Sequence, residues 1–266
     1  MGTIDLTTFE KYMREEELSE NTIDAYISSV ILFLEEYPEF NKDNVLKWKE
    51  AKKNKLSPKT INLKLSALEK YSKCIKRPLR VKRIRIQKEI TNENIIDIKE
   101  YNKLVKGLKK DGQEEWALRY AILGKTGARI GEALQFTTAD FERGYAQIYT
   151  KGKNRKVYFP NSLRKEVLEH FKKKGNVIFK NKYGERMTTR GVAGMLKKHA
   201  EKYGIPLNKA YPHSFRHMFA IEFLKRNNNI ALLADLLGHS SVNTTMIYAR
   251  LSQEDQINAI NNTINW

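Results

Sequence analysis

Residues 213–248 read HSFRHMFAIEFLKRNNNIALLADLLGHSSVNTTMIY, and the reading of the whole fold turns on this stretch. Apolar residues recur along it at helical spacing, which predicts helices over 213–226, 229–237 and 241–250. Four side chains with chemistry to offer sit on or beside those helices: His213, Arg216, His239 and Tyr248. Further toward the N-terminus two more basic groups stand at turns. Arg129 follows Thr126-Gly127-Ala128, and Lys151 opens the turn Lys151-Gly152-Lys153-Asn154 between two alternating, strand-like segments, 145–150 and 155–159.

Phosphoryl transfer needs such an inventory. A phosphodiester under attack accumulates negative charge on its non-bridging oxygens, and two guanidiniums can clamp those oxygens through paired hydrogen bonds. A tyrosine hydroxyl, with an ordinary pKa of about 10, attacks at neutral pH only beside a proton acceptor and a cationic field. Carboxylate pairs of the kind that hold catalytic metal ions are missing, so neither metal nor cofactor is expected. Two other motifs fail on spacing. Gly124-Lys125-Thr126 resembles the end of a phosphate-binding loop, but the glycine required earlier falls on Arg119. His213 and His217 are four apart, yet no glutamate lies between them and no third zinc ligand is evident.

The remaining sequence is mainly helical. Helices are predicted over 3–17, 20–37, 42–53 and from Ser57-Pro58 to about Cys74, the last begun by a capping serine and a proline. From Arg77 to Lys88 the chain alternates charged and apolar residues without a helical stripe. This organises the chain as a helical domain over 1–84, a basic linker over 85–94 and a mixed α and β domain over 95–266. In the latter, further helices are predicted at 97–109, 113–126, 130–136, 161–173 and 188–203. After Ser252, Ile257, Ile260 and Ile264 mark one face of a last helix. The fold class is therefore mainly α with a small β-sheet.

The formal charge is +18, which suits a polyanionic partner. It is also concentrated: residues 1–40 carry 2 basic and 10 acidic side chains, residues 41–88 carry 17 and 3. The same Lys and Asn bias arises from an AT-rich genome and a solvated surface, so composition alone does not choose. Cys74 is the only cysteine, which excludes an intrachain disulfide and fits a reducing cytoplasm. No apolar run approaches the roughly 20 residues of a membrane helix.

The segments Thr126-Gly127-Ala128-Arg129-Ile130-Gly131-Glu132, Lys151-Gly152-Lys153, His213-Ser214-Phe215-Arg216-His217, Leu236-Leu237-Gly238-His239-Ser240 and Tyr248 together resemble the signature of the tyrosine recombinases, or phage integrases. Order and spacing both agree, including three positions from His213 to Arg216 and nine from His239 to Tyr248. The resemblance implies that Arg129 and Arg216 bind the scissile phosphate and that Tyr248 attacks it to form a 3′-phosphotyrosine. Lys151 would protonate the departing 5′-oxygen, His213 would assist proton removal from Tyr248, His239 would hydrogen-bond the phosphate, and Glu132 would buttress the site. His217 has no required part in the pattern and is read as packing or a phosphate contact.

The segment from Ser57 to Leu68 is similar to the fourth helix of that family's SAM-like core-binding domain, which lies in a DNA major groove. Lys59, Thr60, Asn62 and Lys64 are then candidates for base or phosphate contacts, and Lys82, Arg83 and Arg85 for the backbone across the linker. Lys125, Lys153, Arg155, Thr189 and Arg190 are further candidates in the larger domain. The resemblance also implies a tetramer on two duplex sites with paired inverted repeats, a monomer or weak oligomer when free, and a last helix exchanged between subunits. An additional arm-binding domain is not expected. A type IB topoisomerase-like enzyme and a non-catalytic DNA-binding regulator remain alternatives.

Overall fold

The computed structural model describes residues 6–86, 94–150, 153–172, 176–239, 241–249 and 260–261. The chain forms two compact units that divide after residue 88.

Among the described residues the first unit holds four helices: α1 (Leu6–Glu15), α2 (Glu20–Glu36), α3 (Lys42–Lys52) and α4 (Pro58–Cys74). Local chemistry sets the starts of α3 and α4. Asn41 accepts the Asn44 N–H at 2.8 Å, and Ser57 accepts that of Thr60 at 3.1 Å just ahead of Pro58. Their apolar stripes meet in a core of Phe9, Met13, Ile23, Val30, Phe33, Val45, Ile61, Leu65 and Leu68. Each large side chain buried there contributes about 1.5–3 kcal/mol. Residues 77–86 have no regular structure, as expected, but they are not a free tether. Val81 is buried, its N–H bonds Glu69 at 3.1 Å, and the Asn62 amide both donates to the Ile84 carbonyl (2.8 Å) and accepts its N–H (2.9 Å).

The second unit comprises α5 (Ile98–Lys110), α6 (Glu114–Thr126), α7 (Ile130–Ala133), α8 (Thr138–Arg143), strands β1 (Tyr145–Thr150) and β2 (Lys153–Tyr158), then α9 (Asn161–Phe171), α10 (Thr189–Lys202), α11 (Pro212–Arg226) and α12 (Ile230–Leu237). Residues 117–124 of α6 are all buried, so this helix is the axis of the unit, with α5 and α11 packed against it. Gly127 ends α6 in a left-handed conformation, φ 61°, where a Cβ would collide with Phe219. The hairpin is antiparallel, in register from Tyr145↔Tyr158 to Thr150↔Lys153, and buries Ala146, Ile148 and Val157 on its inner face. The α11–α12 pair closes on a smaller cluster of Ala220, Leu224, Leu233 and Leu237, against which Phe219 and Tyr248 pack.

Three expectations are corrected. The helix expected over 130–136 is a single turn, Ile130–Ala133, followed by the unforeseen α8, which Thr137 caps through the Asp140 N–H. The strand expected at 155–159 begins two residues earlier, at Lys153. The helix expected over 241–250 is a short 3-10 turn, Val242–Thr244, continued by tight turns to Ala249. β-Branched Val242, Thr244 and Thr245 resist helix packing, and the Thr245 hydroxyl is bonded to His239 instead. The last helix predicted after Ser252 lies outside the described residues, except for Ile260 and Asn261.

Candidate active site

Arg216 projects from the middle of α11 and is 1 % exposed. Its guanidinium donates to the Gly127 carbonyl at 2.8 Å and to the Leu237 carbonyl at 2.7 Å, while its buried Nε has no partner among the described residues. Burial, reinforced by Arg129 and Arg155, pulls its pKa down to about 10, so it keeps its charge at neutral pH.

Arg129 stands at the mouth of α7. Its backbone N–H and side chain both bond Glu132, at 2.8 and 3.0 Å, and its other terminal nitrogen reaches the Gly238 carbonyl at 3.5 Å. The Glu132 side chain is 4 % exposed and is paired with both Arg129 and Arg155. Burial alone would raise its carboxyl pKa, but the two arginines and the Arg129 N–H outweigh burial and hold it below the usual range.

One end of α12 organises these cations. The last carbonyls of a helix have no partners within it and carry the negative end of its dipole. Here the Leu236 carbonyl accepts from Arg155, that of Leu237 from Arg216 and that of Gly238 from Arg129. Gly238, at φ 62°, allows the chain to turn there, and a Cβ would run into Arg155. Next in sequence, His239 hydrogen-bonds the Thr245 hydroxyl through Nδ1 at 2.8 Å, and burial and then the arginines push it down to about 4.

Tyr248 is partly buried against the α11–α12 cluster, and its hydroxyl lies 2.7 Å from Nδ1 of His217. Its partner is thus one helical turn beyond His213, the residue expected beside it. The rings of His213 and His217 meet edge to face, with centroids 4.6 Å apart. Burial raises the Tyr248 pKa, against the opposing pull of Arg216 and Arg129. Arg129, Arg216, His239 and Tyr248 are therefore brought together around the α12 terminus, with His213 adjoining through His217. Lys151 lies outside the described residues.

Arg155, expected to touch DNA, is turned inward. Its side chain is 12 % exposed and is committed to Glu132 and Leu236. Strand alternation carries the missed signal, because residues 155 and 157 share a face and Val157 is buried. His217, four residues beyond His213, shares its helix face and packs against it.

In the first unit Lys59, Thr60, Asn62 and Arg83 line one open depression of about 500 Å³. Asn62 and Arg83 are partly spent on structure, Asn62 on Ile84 and Arg83 on Glu69 at 2.6 Å. Lys64 is half-exposed, and Lys82 and Arg85 are exposed. In the second unit Thr189 and Arg190 are exposed in the first turn of α10, and Lys125 lies 3.8 Å from Glu166. The Lys153 side chain is outside the description. Among the described residues no three His, Cys, Asp or Glu side chains are grouped to hold a metal ion, and no helix is long and apolar enough to cross a membrane.

Arg129 and Arg216 are thus held by backbone carbonyls within electrostatic reach of the Tyr248 hydroxyl, which His217 contacts. The sequence matches the phage integrase family over residues 94–255 and the N-terminal SAM-like domain of phage integrases over 6–77. The chain belongs to the phage integrase family, the tyrosine recombinases. Tyrosine recombinase XerA of Pyrococcus furiosus is 29% identical over 265 residues, covering 93% of this chain and 89% of that protein. Tyrosine recombinase XerC of Listeria welshimeri is 32% identical over 146 residues, 50% of this chain and 48% of that one. Among solved structures, the XerH recombinase in a post-cleavage complex with palindromic difH DNA shares the fold, with a TM-score of 0.73 and 21% identity over 97% of this chain and 84% of that one.

Proposed function

We propose that this chain is a site-specific DNA recombinase that cuts and rejoins duplex DNA through Tyr248. The observation that carries the reading is the fixed pair Arg129 and Arg216 beside that hydroxyl, with the Arg216 Nε still unspent. A buried donor without a partner costs about 1–3 kcal/mol, and a non-bridging phosphate oxygen is the acceptor that relieves it. The two arginines clamp the scissile phosphate, Tyr248 attacks phosphorus in line, and the DNA 3′ end is held as a phosphotyrosine. Lys151 protonates the departing 5′-oxygen and His239 donates to the phosphate. Because the covalent link keeps the energy of the broken bond, religation to another strand needs no external energy source.

The first unit supplies grip and register through Lys59, Thr60, Lys64, Lys82 and Arg85, and the second through Lys125, Thr189 and Arg190. Four copies assemble on paired inverted-repeat sites in the cytoplasm and exchange one pair of strands at a time through a four-way junction. The name of the XerH structure, which places that protein on DNA after cleavage, supports this reading. A nicked suicide duplex tests it: the wild-type protein accumulates a covalent adduct, and Tyr248→Phe binds the duplex but forms none. Adduct formation by Tyr248→Phe refutes the assignment. Relaxation of any supercoiled plasmid without paired sites would instead mark a topoisomerase-like enzyme.

A further inference from the structure

A tyrosine oxygen that bonds to phosphorus must give up a proton, and the group that holds the Tyr248 hydroxyl here has no assigned part in the motif. We infer that His217 is a catalytic residue whose Nδ1 takes the Tyr248 proton during cleavage and returns it during religation. This rests on the reading of Tyr248 as the nucleophile.

The contact has the geometry of a general base, 2.7 Å between Nδ1 and the phenolic oxygen, with the two ring centroids 5.4 Å apart. Position 217 is set by rigid structure, since the next residue back is the buried Arg216, and the His213 ring stands edge-on to it at 87°. Four other groups bear on the pair electrostatically: His213 and Arg216 from α11, Tyr211 just before it, and Arg129 at the mouth of α7.

These surroundings make the base conditional. Without DNA, burial, His213 and Arg216 push His217 down to about 4, while burial raises Tyr248. The proton therefore stays on the oxygen, and the tyrosine is held as a neutral, poor nucleophile. A phosphate seated between Arg129 and Arg216 brings negative charge beside the imidazole and offsets the arginine field that disfavours its protonation. Binding of the correct substrate thus strengthens the base. In the step itself the Tyr248 oxygen–phosphorus bond forms, the phosphorus–5′-oxygen bond breaks, and the phenolic proton passes to Nδ1. The 5′-oxygen takes its proton from a separate donor, Lys151 in the mechanism above, and religation reverses each transfer.

The test uses the full-length protein and a nicked duplex selected from a randomised pool by covalent capture on the wild type. His217→Ala is expected to form adduct at least ~100-fold more slowly, the range for loss of a general base, at unchanged duplex affinity and melting temperature. Added imidazole is expected to restore part of that rate. His217→Asn, which offers an amide oxygen in place of Nδ1 but cannot accept a proton, is expected to stay slow. A wild-type rate in His217→Ala overturns the proposal. So does a wild-type rate in His217→Asn, which would leave His217 a positioning residue only. Failure of the wild type to capture any duplex, or capture by Tyr248→Phe, would instead overturn the nucleophile assignment.

Discussion

Replacing Arg155 with methionine separates two roles that one basic side chain on a hairpin could have. If it is a strut, the change removes one of two cations paired with a carboxylate that is 4 % exposed, and it strips the Leu236 carbonyl of its donor. Breaking a buried ion pair costs about 3–5 kcal/mol. Because Arg129 still faces Glu132 at 3.0 Å, the lower end, about 3 kcal/mol, is the expectation. For a domain of 150–250 residues this lowers the melting midpoint by roughly 6–12 °C. Adduct formation falls as well, because Glu132 then loses one of the two partners that fix its carboxylate under Arg129. The control is Lys156→Met, which removes the same charge from the exposed face of the same strand. Differential scanning calorimetry and DNA titration at several salt concentrations measure both. A wild-type melting point for Arg155→Met, together with weaker DNA binding and a shallower salt slope, would refute the inward role and restore Arg155 to the DNA surface.

Gly127→Ala forces a left-handed residue to carry a Cβ, at about 1–2 kcal/mol, and drives that carbon into Phe219. It also disturbs the carbonyl that holds Arg216, so both thermal stability and adduct yield should fall, and unchanged values in both would contradict the placement of Arg216. The protein should lose stability in acid below about pH 6.5. His217 and His239 are held near 4 when folded and His199 is lowered by burial, so the unfolded chain, with ordinary histidines near 6.5, binds more protons there. Urea melts at pH 7.5 and 5.0 should show it, at up to ~1.4 kcal/mol per pH unit for each histidine, and a flat profile would argue against their burial. Asn62→Leu should loosen the chain around Ile84 and hasten tryptic cleavage after Arg85 while α4 and the contacts of Leu79, Val81 and Arg83 stay in place, as limited proteolysis can show.

Much of this was legible in the residues because the helices carry strong local signals. The Ser57-Pro58 start of α4 and the apolar period of α2 each specify an element without reference to the rest of the chain. The errors fall where tertiary contacts decide. Nothing local shows that Thr245 bonds His239 and so turns the chain away from a helix, or that α7 stops after one turn. The resemblance to the tyrosine recombinase signature singled out Arg129, Arg216, His239 and Tyr248, but not which carbonyl each arginine would meet. Arg155 departs from its expected DNA contact because strand parity, not charge, gives the direction of a side chain on a hairpin.

The geometry at the α12 terminus explains how the protein tolerates a site so rich in positive charge before any phosphate arrives. Arg129, Arg155 and Arg216 repel one another, and each lowers the basicity of the histidine that follows the terminus. Glu132 is paired with two of them, Arg129 and Arg155. The three successive carbonyls at the end of α12 supply fixed partial negative charge without adding a titratable group. Because the donors are anchored to backbone that is itself fixed by Gly238 and the α11–α12 cluster, they would need little reorganisation as charge develops on the non-bridging oxygens of a bound phosphate. Glu132 then has a narrower task, which is to hold Arg129 and Arg155 in register, while the buried Nε atoms of Arg155 and Arg216 keep no hydrogen-bond partner among the described residues.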